Sequence, residues 1–197
     1  MNEKRFLALA ALLLSVLLGA CSPKAAESPP LEGAAIGGPF TLTDQDGRQV
    51  SGSDFAGRYR LIYFGFTYCP DVCPVDLQVI GQGLRQLEAS DPAIAAKVQP
   101  IFISVDPERD APPVLKQFVS AFHPRLIGLT GTPEQIADVA KRFGIYYMKD
   151  QPPGLSGYLV NHSRMATLFG PKGEPIAIIP HDQGADAVAK ELRHWVK

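Results

Sequence analysis

A buried strand that runs into a helix through two cysteines limits the fold of this chain more than any other feature of its sequence. Residues Arg60–Phe66 form a near-continuous apolar and aromatic run, which is typical of a central strand covered on both faces. Residues Asp76–Ala89 then follow a helical period, with apolar side chains at 3-4-3 spacing. Cys69 and Cys73 lie between these two segments. The pattern predicts a layered α/β domain whose cysteines lie where strand gives way to helix.

The remaining segments extend this pattern into a mixed sheet with helices on both faces. Two short alternating runs around Asp46-Gly47 predict an N-terminal β-hairpin, and Gly170–Glu174 predicts the turn of a second hairpin. Thr132 and Pro133 have the residue types of a helix cap and first helical position. The other predicted strands are 98–105, 126–129, 145–148, 158–160, 165–169 and 176–179, and the other helices are 112–122, 132–143 and 184–196. The order fits a thioredoxin-like mixed sheet with flanking helices and an extra N-terminal hairpin.

The first 21 residues have the features of an export signal. Lys4 and Arg5 precede an apolar stretch, Phe6–Leu18, which is shorter than the roughly 20 residues that a spanning helix needs. Small residues before Cys21 resemble the lipobox of bacterial lipoproteins, in which the cysteine carries the lipid. An uncleaved signal anchor is the alternative. We therefore expect a signal peptide with a lipobox at 1–21, a flexible tether at 22–34 and a folded domain at 35–197.

The charge balance argues against a nucleic-acid partner. The formal net charge is -1, and no basic cluster is present that would neutralise a row of phosphates. If Cys21 carries lipid, two cysteines remain in an exported domain. A pair four residues apart then points to chemistry rather than to a disulfide scaffold.

The position of the cysteine pair favours reactive thiolates. Free N–H groups and the helix dipole stabilise negative charge at a helix N-terminus, and such sites lower a thiol pKa from about 8.5. In a helical segment the two Cα atoms would lie about 6 Å apart, which is near the upper end of the disulfide range. Pro70 and Pro74 would stiffen the turn, and the helix could begin at either one. An inert disulfide or two buried thiols remain alternatives to a redox or metal-binding pair.

Histidine is the residue type that would complete a soft metal site. His162 lies in the Tyr158–Ser163 segment, just before a hairpin strand that this topology places beside the cysteine loop. A lone histidine is more often structural, however. We expect His123 at a surface helix end, His181 beside a helix cap, and His194 near the end of the last helix. Two sulfurs and an imidazole suit copper, with zinc as the chemical competitor.

Three motifs resemble the Sco/SenC family of copper proteins: Phe64–Pro74, Ser104–Asp110 and Asn161–Ser163. The resemblance implies a thioredoxin-like copper chaperone that binds one copper ion through Cys69, Cys73 and His162. It further implies delivery to the binuclear copper site of cytochrome c oxidase, with subunit II or another copper-accepting protein as partner. A thiol–disulfide reductant is a further expected partner. With the lipobox, we expect a periplasm-facing lipoprotein anchored in the bacterial cell envelope.

The sequence does not decide the roles of Asn161, Asp106 and Asp110 within these motifs. The family commonly has aspartate before the histidine, and Asn161 stands there instead, so the tuning of His162 is in question. Asp106 and Asp110 would orient ligands or dock a partner, or would serve only in helix capping and a surface turn. The sequence favours the capping role.

Two enzyme classes compete with the chaperone. An extracytoplasmic thiol–disulfide oxidoreductase would use Cys69 and Cys73 as its redox pair, although the usual spacing for that chemistry is one residue shorter. Whether the protein is an enzyme therefore stays open. A peroxiredoxin-type peroxidase is disfavoured, because these enzymes carry threonine three residues before the reactive cysteine and Phe66 stands there.

Overall fold

The computed structural model describes residues 27–154 and 157–197, so Cys21 and the predicted export signal lie outside the described residues. The strands are β1 (Thr41–Asp44), β2 (Gln49–Ser51), β3 (Tyr59–Gly65), β4 (Val98–Ser104), β5 (Ile127–Thr130), β6 (Tyr147–Asp150), β7 (Leu159–His162), β8 (Ala166–Phe169) and β9 (Pro175–Ile179). The α-helices are α1 (Val72–Ser90), α2 (Pro92–Ala95), α3 (Pro112–Ser120), α4 (Pro133–Arg142) and α5 (Ala185–Trp195). No helix within these ranges has both the length and the apolar character of a membrane span.

Seven strands form the main sheet, in the order β2-β1-β5-β4-β3-β8-β9. Parallel pairing joins β3 to β4 and β4 to β5, and every other pair in this sheet is antiparallel. All residues of β3 and β4 are buried, as the continuous apolar run predicts for central strands. The prediction of a mixed sheet with flanking helices is confirmed.

Helix α1 carries the apolar stripe that its sequence predicts. Leu77, Ile80, Leu84 and Leu87 are all at most 3% exposed. The helix packs closely on α5, since a Cβ on Gly83 would lie 2.6 Å from Val188. This packing fixes the direction in which the N-terminus of α1 points.

The N-terminal hairpin extends the main sheet. Strand β1 pairs with β2 around the Asp46-Gly47 turn, where Gly47 has a φ of 81°, and it pairs with β5 on its other side. Helix α4 begins as predicted, with a capping box between Thr132 and Gln135 and with proline in its first turn.

Strands β6 and β7 form a separate two-stranded sheet. Tyr147 is the cross-strand partner of His162, and Met148 is the partner of Asn161. An isolated hairpin is marginally stable in water, so contacts with the rest of the domain must hold this one in place. The position of His162 therefore depends on those contacts.

The described part of the predicted tether contacts the domain. Residues 30–33 form a turn, and the Leu31 amide donates to the Ile176 carbonyl at 3.0 Å. Ile176 belongs to β9, which is an edge strand of the main sheet. The segment before residue 35 thus covers part of an open sheet edge.

Candidate metal centre

Both cysteines lie around the first turn of α1, just beyond the end of β3. The helix begins at Val72, between the two prolines, so Cys69 lies in the loop and Cys73 in the first turn. Cys73 is fully buried and Cys69 is half-buried. Gly65 makes room for the buried sulfur, because a Cβ there would lie 3.0 Å from Cys73 Sγ.

Three ligand atoms converge at this junction. The sulfurs of Cys69 and Cys73 and a ring nitrogen of His162 all lie within 4.8 Å of one another. Nε2 of His162 is 3.2 Å from Cys73 Sγ, and the Cys73 amide donates to Cys69 Sγ at 3.3 Å. Both cysteines are free thiols. A small shift of these side chains would bring all three atoms within bonding distance of one soft metal ion.

The surroundings of His162 orient its ring. Nδ1 lies 2.9 Å from the Ser163 carbonyl, and it must donate because a carbonyl only accepts. The lone pair of a neutral imidazole then lies on Nε2, the atom that faces the sulfurs. Tyr63 and Phe66 meet the ring edge-to-face, with centroids 6.2 and 6.0 Å away. The histidine therefore presents a free ligand atom to the cysteine pair.

The two thiols have opposite acidities. Hydrogen bonds from the Cys73 thiol and the Cys73 amide lower the pKa of Cys69 to about 3, against the effect of burial. The same bond to Cys69, together with burial, raises the pKa of Cys73 well above its ordinary value. Of the two thiols, Cys69 is therefore the one that ionises more readily. This more exposed sulfur is the nucleophile and the first ligand that an arriving metal meets.

Asp110 fixes the loop that carries Cys69. Its carboxylate accepts hydrogen bonds from the Thr67 amide at 3.0 Å, the Thr67 hydroxyl at 2.6 Å and the Ser104 hydroxyl at 2.5 Å. Asp106 and Asp110 are both fully buried, so the favoured prediction of a surface turn is wrong. Helix capping is wrong as well, because the cap residue of α3 is Ala111 and no side chain caps it. Burial raises the pKa of Asp110, although these hydrogen bonds oppose the rise.

Arg109 joins the cysteine loop to the segment that leads into β7. Its guanidinium lies 3.8 Å from the ring centroid of Tyr158 and 5.1 Å from that of Tyr68. It also donates to the Tyr158 carbonyl at 2.9 Å and to the Asp106 carboxylate. The Tyr158 hydroxyl donates to the same carboxylate at 2.6 Å. Sequence reasoning missed Arg109 and Tyr158, because their partners are distant in the chain.

A second polar cluster supports the buried side of α1. Asp76 is 3% exposed, and it accepts from the Tyr63 hydroxyl at 2.8 Å and from Arg164 at 2.7 and 3.0 Å. Nε2 of His181 lies 3.3 Å from the same carboxylate. His181 occupies a short 3₁₀ turn just before α5, so its position in the chain is as expected, but it is buried against Asp76 rather than beside a cap.

The other residues singled out in the sequence lie outside the site. His123 is 2% exposed, which overturns the prediction of a surface position, and it lies 3.4 Å from Glu88. His194 is in the last turn of α5, as expected. Asn161 is exposed, and no hydrogen bond joins it to His162 within the described residues. The Ser163 carbonyl therefore orients the ring in this protein.

Comparison with known proteins agrees with this geometry. The family profile described as SCO1/SenC matches residues 28–197, which is most of the chain. The chain belongs to the SCO1/SenC family. The resemblance noted from the three motifs is thereby confirmed, and the match begins before the expected domain start at residue 35.

Individual SCO1/SenC relatives match over most of this chain. The mitochondrial SCO1 homolog 1 of Arabidopsis thaliana is 41% identical over 175 residues, which cover 87% of this chain and 51% of the relative. This chain thus spans about half the length of that curated relative. Solved structures with copper bound are among the matches. ScoI of Bradyrhizobium japonicum is 39% identical with a TM-score of 0.73, and the match covers 82% of this chain and 99% of the ScoI chain. Arabidopsis thaliana ScoI is 38% identical with a TM-score of 0.75, and the match covers 81% of this chain and 98% of that chain. The thioredoxin-like fold prediction is confirmed.

Proposed function

We propose that this protein binds one copper ion through Cys69, Cys73 and His162 and delivers it to the binuclear copper site of cytochrome c oxidase. The convergence of these three ligand atoms within 4.8 Å is the observation that carries the proposal. Family membership and the copper-bound relatives supply the identity of the metal. The recipient we propose is subunit II of the oxidase.

The ligand set suits copper that must later be released. Thiolate ligands favour copper(I), and a set of three leaves room for an incoming ligand from a recipient protein. Cys69 is half-buried and thiolate, whereas Cys73 is enclosed by the core. An acceptor thiolate could therefore approach from the Cys69 side while Cys73 still holds the ion. The same ligands would accept zinc, so the test below compares both metals.

We further propose that the chain is a periplasm-facing lipoprotein whose lipid is attached to Cys21. The charged start, the short apolar stretch and the small residues before that cysteine support this location. Metabolic labelling with a radioactive fatty acid is the check. Wild type should incorporate the label and Cys21→Ser should not, whereas label in both proteins would refute acylation at this residue.

The copper assignment is tested by titrating the reduced protein with copper(I) against a competing chelator. We expect one ion per chain, and we expect His162→Ala to weaken binding at least about tenfold, because a ligand is lost. His194→Ala is the matched control, since that histidine is exposed on α5. The copper site is misassigned if His162→Ala binds with wild-type affinity and spectrum. Tighter binding of zinc than of copper would also count against the proposal.

A second candidate function rests on the lowered pKa of Cys69. A half-buried thiolate beside a protonated thiol is the arrangement of a dithiol reductant. In this function Cys69 attacks a substrate disulfide, Cys73 then displaces the reduced substrate, and the pair ends as a disulfide. The substrate would be the oxidised cysteines of the same oxidase site. Reduction of a model disulfide at wild-type rate by His162→Ala would favour this function over copper delivery.

A further inference from the structure

A cavity of about 360 Å³ lies at the opposite end of β3 from the metal centre. Three short segments line it, through residues 38–39, residues 52, 53 and 56, and residues 171–173, and Arg60 forms its inner wall. Arg60 is the second residue of β3, so about 17 Å of strand separates it from Gly65. The cavity is therefore independent of the cysteine site.

The guanidinium of Arg60 lacks adequate partners. The residue is only 7% exposed, and its Nε has no hydrogen-bond partner. Nη1 reaches the Gly52 carbonyl at 3.5 Å and Nη2 reaches the Gly170 carbonyl at 3.4 Å. Charge-assisted hydrogen bonds are normally about 2.7–2.9 Å long. A buried charge held by two long bonds to neutral carbonyls is poorly compensated.

Within the described residues, no carboxylate contacts the Arg60 guanidinium directly. No ion pair to Arg60 forms within 4 Å. Glu174 is the acid that acts on it from further away, and its carboxylate instead accepts from the Lys172 amide at 2.9 Å. Burial lowers the pKa of Arg60, as expected for a cation without a close partner.

The rest of the cavity wall adds positive charge and open space. Of the lining residues, only Arg60 and Lys172 are charged, and both are basic. Lys172 is exposed and makes no ion pair within the described part of the chain. Gly173 has a φ of 92°, and a Cβ there would lie 2.5 Å from Arg60 Nη2. Glycine thus keeps the face of the guanidinium clear.

We propose that this cavity is a binding site for a phosphate group, held by the Arg60 guanidinium at its base and by the Lys172 ammonium at its rim. The planar guanidinium presents parallel N–H donors that match two oxygens of a phosphate, and a second cation favours the phosphate charge. The phosphate could come from a phospholipid headgroup or from the free anion. Gly38 and Pro39, where the chain enters the domain from its N-terminal segment, line the same cavity.

The test is calorimetric titration of the full chain, reduced and metal-free in a neutral detergent, with two probes. Inorganic phosphate represents the free anion, and glycerophosphoglycerol represents the diester of a lipid headgroup. We expect one saturable site per chain. Arg60→Met should abolish binding, and Lys172→Ala should weaken it about threefold to tenfold, as for a partly exposed charge. Lys190→Ala removes an exposed lysine from α5 and should leave affinity unchanged.

Each outcome decides the proposal. Binding of the diester assigns the site to lipid, and binding of inorganic phosphate alone assigns it to the soluble anion. Absence of saturable binding by both probes overturns the site, as does wild-type affinity in a folded Arg60→Met protein. Copper binding at the far end of β3 reports whether that variant is folded. If it is not, the comparison of Lys172→Ala with Lys190→Ala decides, and equal affinities would overturn the proposal.

Discussion

Asp76 is the residue whose surroundings have the clearest consequence for stability. Its carboxylate lies beside Tyr63, Arg164 and His181 in a buried position. Burial works against ionisation, yet the hydrogen bonds from His181, Arg164 and Tyr63 together lower the pKa of Asp76. Burial also works against a charged His181, but Asp76 and the Ile179 carbonyl raise the pKa of that histidine above 6.5.

The lowered pKa of Asp76 and the raised pKa of His181 determine how the stability of the fold changes with pH. A raised histidine pKa stabilises the fold below pH 6.5, and that contribution is lost as the pH rises through the folded-state value. A lowered aspartate pKa stabilises the fold above about pH 3.8 and is lost as the pH falls. The Asp76–His181 pair therefore stabilises the fold most between about pH 3.8 and pH 6.5.

We expect the reduced wild-type protein to lose more stability than His181→Gln when the pH is raised from 6 to 8.5, because the variant has no histidine charge to lose. The difference should be about 1.5 kcal/mol, the lower end of the range for a hydrogen bond to a charged group. Urea unfolding at pH 6 and pH 8.5 measures it for both proteins. His194→Gln changes an exposed side chain on α5, so it should lose as much stability between the two pH values as wild type does. Equal losses in wild type and His181→Gln would contradict the assignment of charge to this pair.

Single polar residues are also where sequence reasoning failed most. Asp110 and His123 were expected at the surface because charged and polar side chains are mostly exposed. Both are buried because partners from other segments satisfy them: Thr67 and Ser104 for Asp110, and Glu88 for His123. Sequence separation hides such pairs. Cys69 and Cys73 could be identified from the sequence because they lie four residues apart, between a buried strand and a helix.

At the scale of elements, local signals predicted most of the fold. The apolar run of β3, the leucine stripe of α1 and the cap of α4 depend on neighbours in sequence, and all three are present. The pairing of β6 with β7 into a separate sheet could not be read in the same way. Each strand has four residues, and Val160 is the one fully buried residue among them, so the sequence of either strand says little about its partner.

Arg109 is the side chain that best explains how this small sheet is held. We expect Arg109→Lys to weaken copper(I) binding about tenfold, because lysine keeps the charge but lacks the planar group that stacks on Tyr158. Chelator competition measures the affinity, and urea unfolding of the metal-free protein measures stability. Arg142→Lys on α4 is the control, since the Arg142 side chain pairs with Asp138 at the surface, away from the metal centre. Wild-type affinity in Arg109→Lys would contradict a positioning role.

At the scale of the whole molecule, the segment before residue 35 covers part of one edge of the main sheet. A chain that begins at residue 35 lacks the Leu31 amide that pairs with Ile176. It also uncovers edge strand β9, whose Ile178 is 48% exposed. We expect this shorter chain to self-associate more than one that begins at residue 27. Light scattering over a concentration series measures the difference, and identical masses for the two chains would show that residues 27–34 have no such role.

The division of the ligands between two sheets sets how a bound ion can leave. Both sulfurs belong to the junction of β3 and α1, whereas the imidazole belongs to the two-stranded β6–β7 sheet, here called the flap. Arg109 holds the segment before β7 through the carbonyl and the ring of Tyr158. A swing of the flap would remove one bond to the ion and leave the core undisturbed. Residence time would then be governed by the outer contacts of the flap. Evolution could retune it there without altering the metal's ligands.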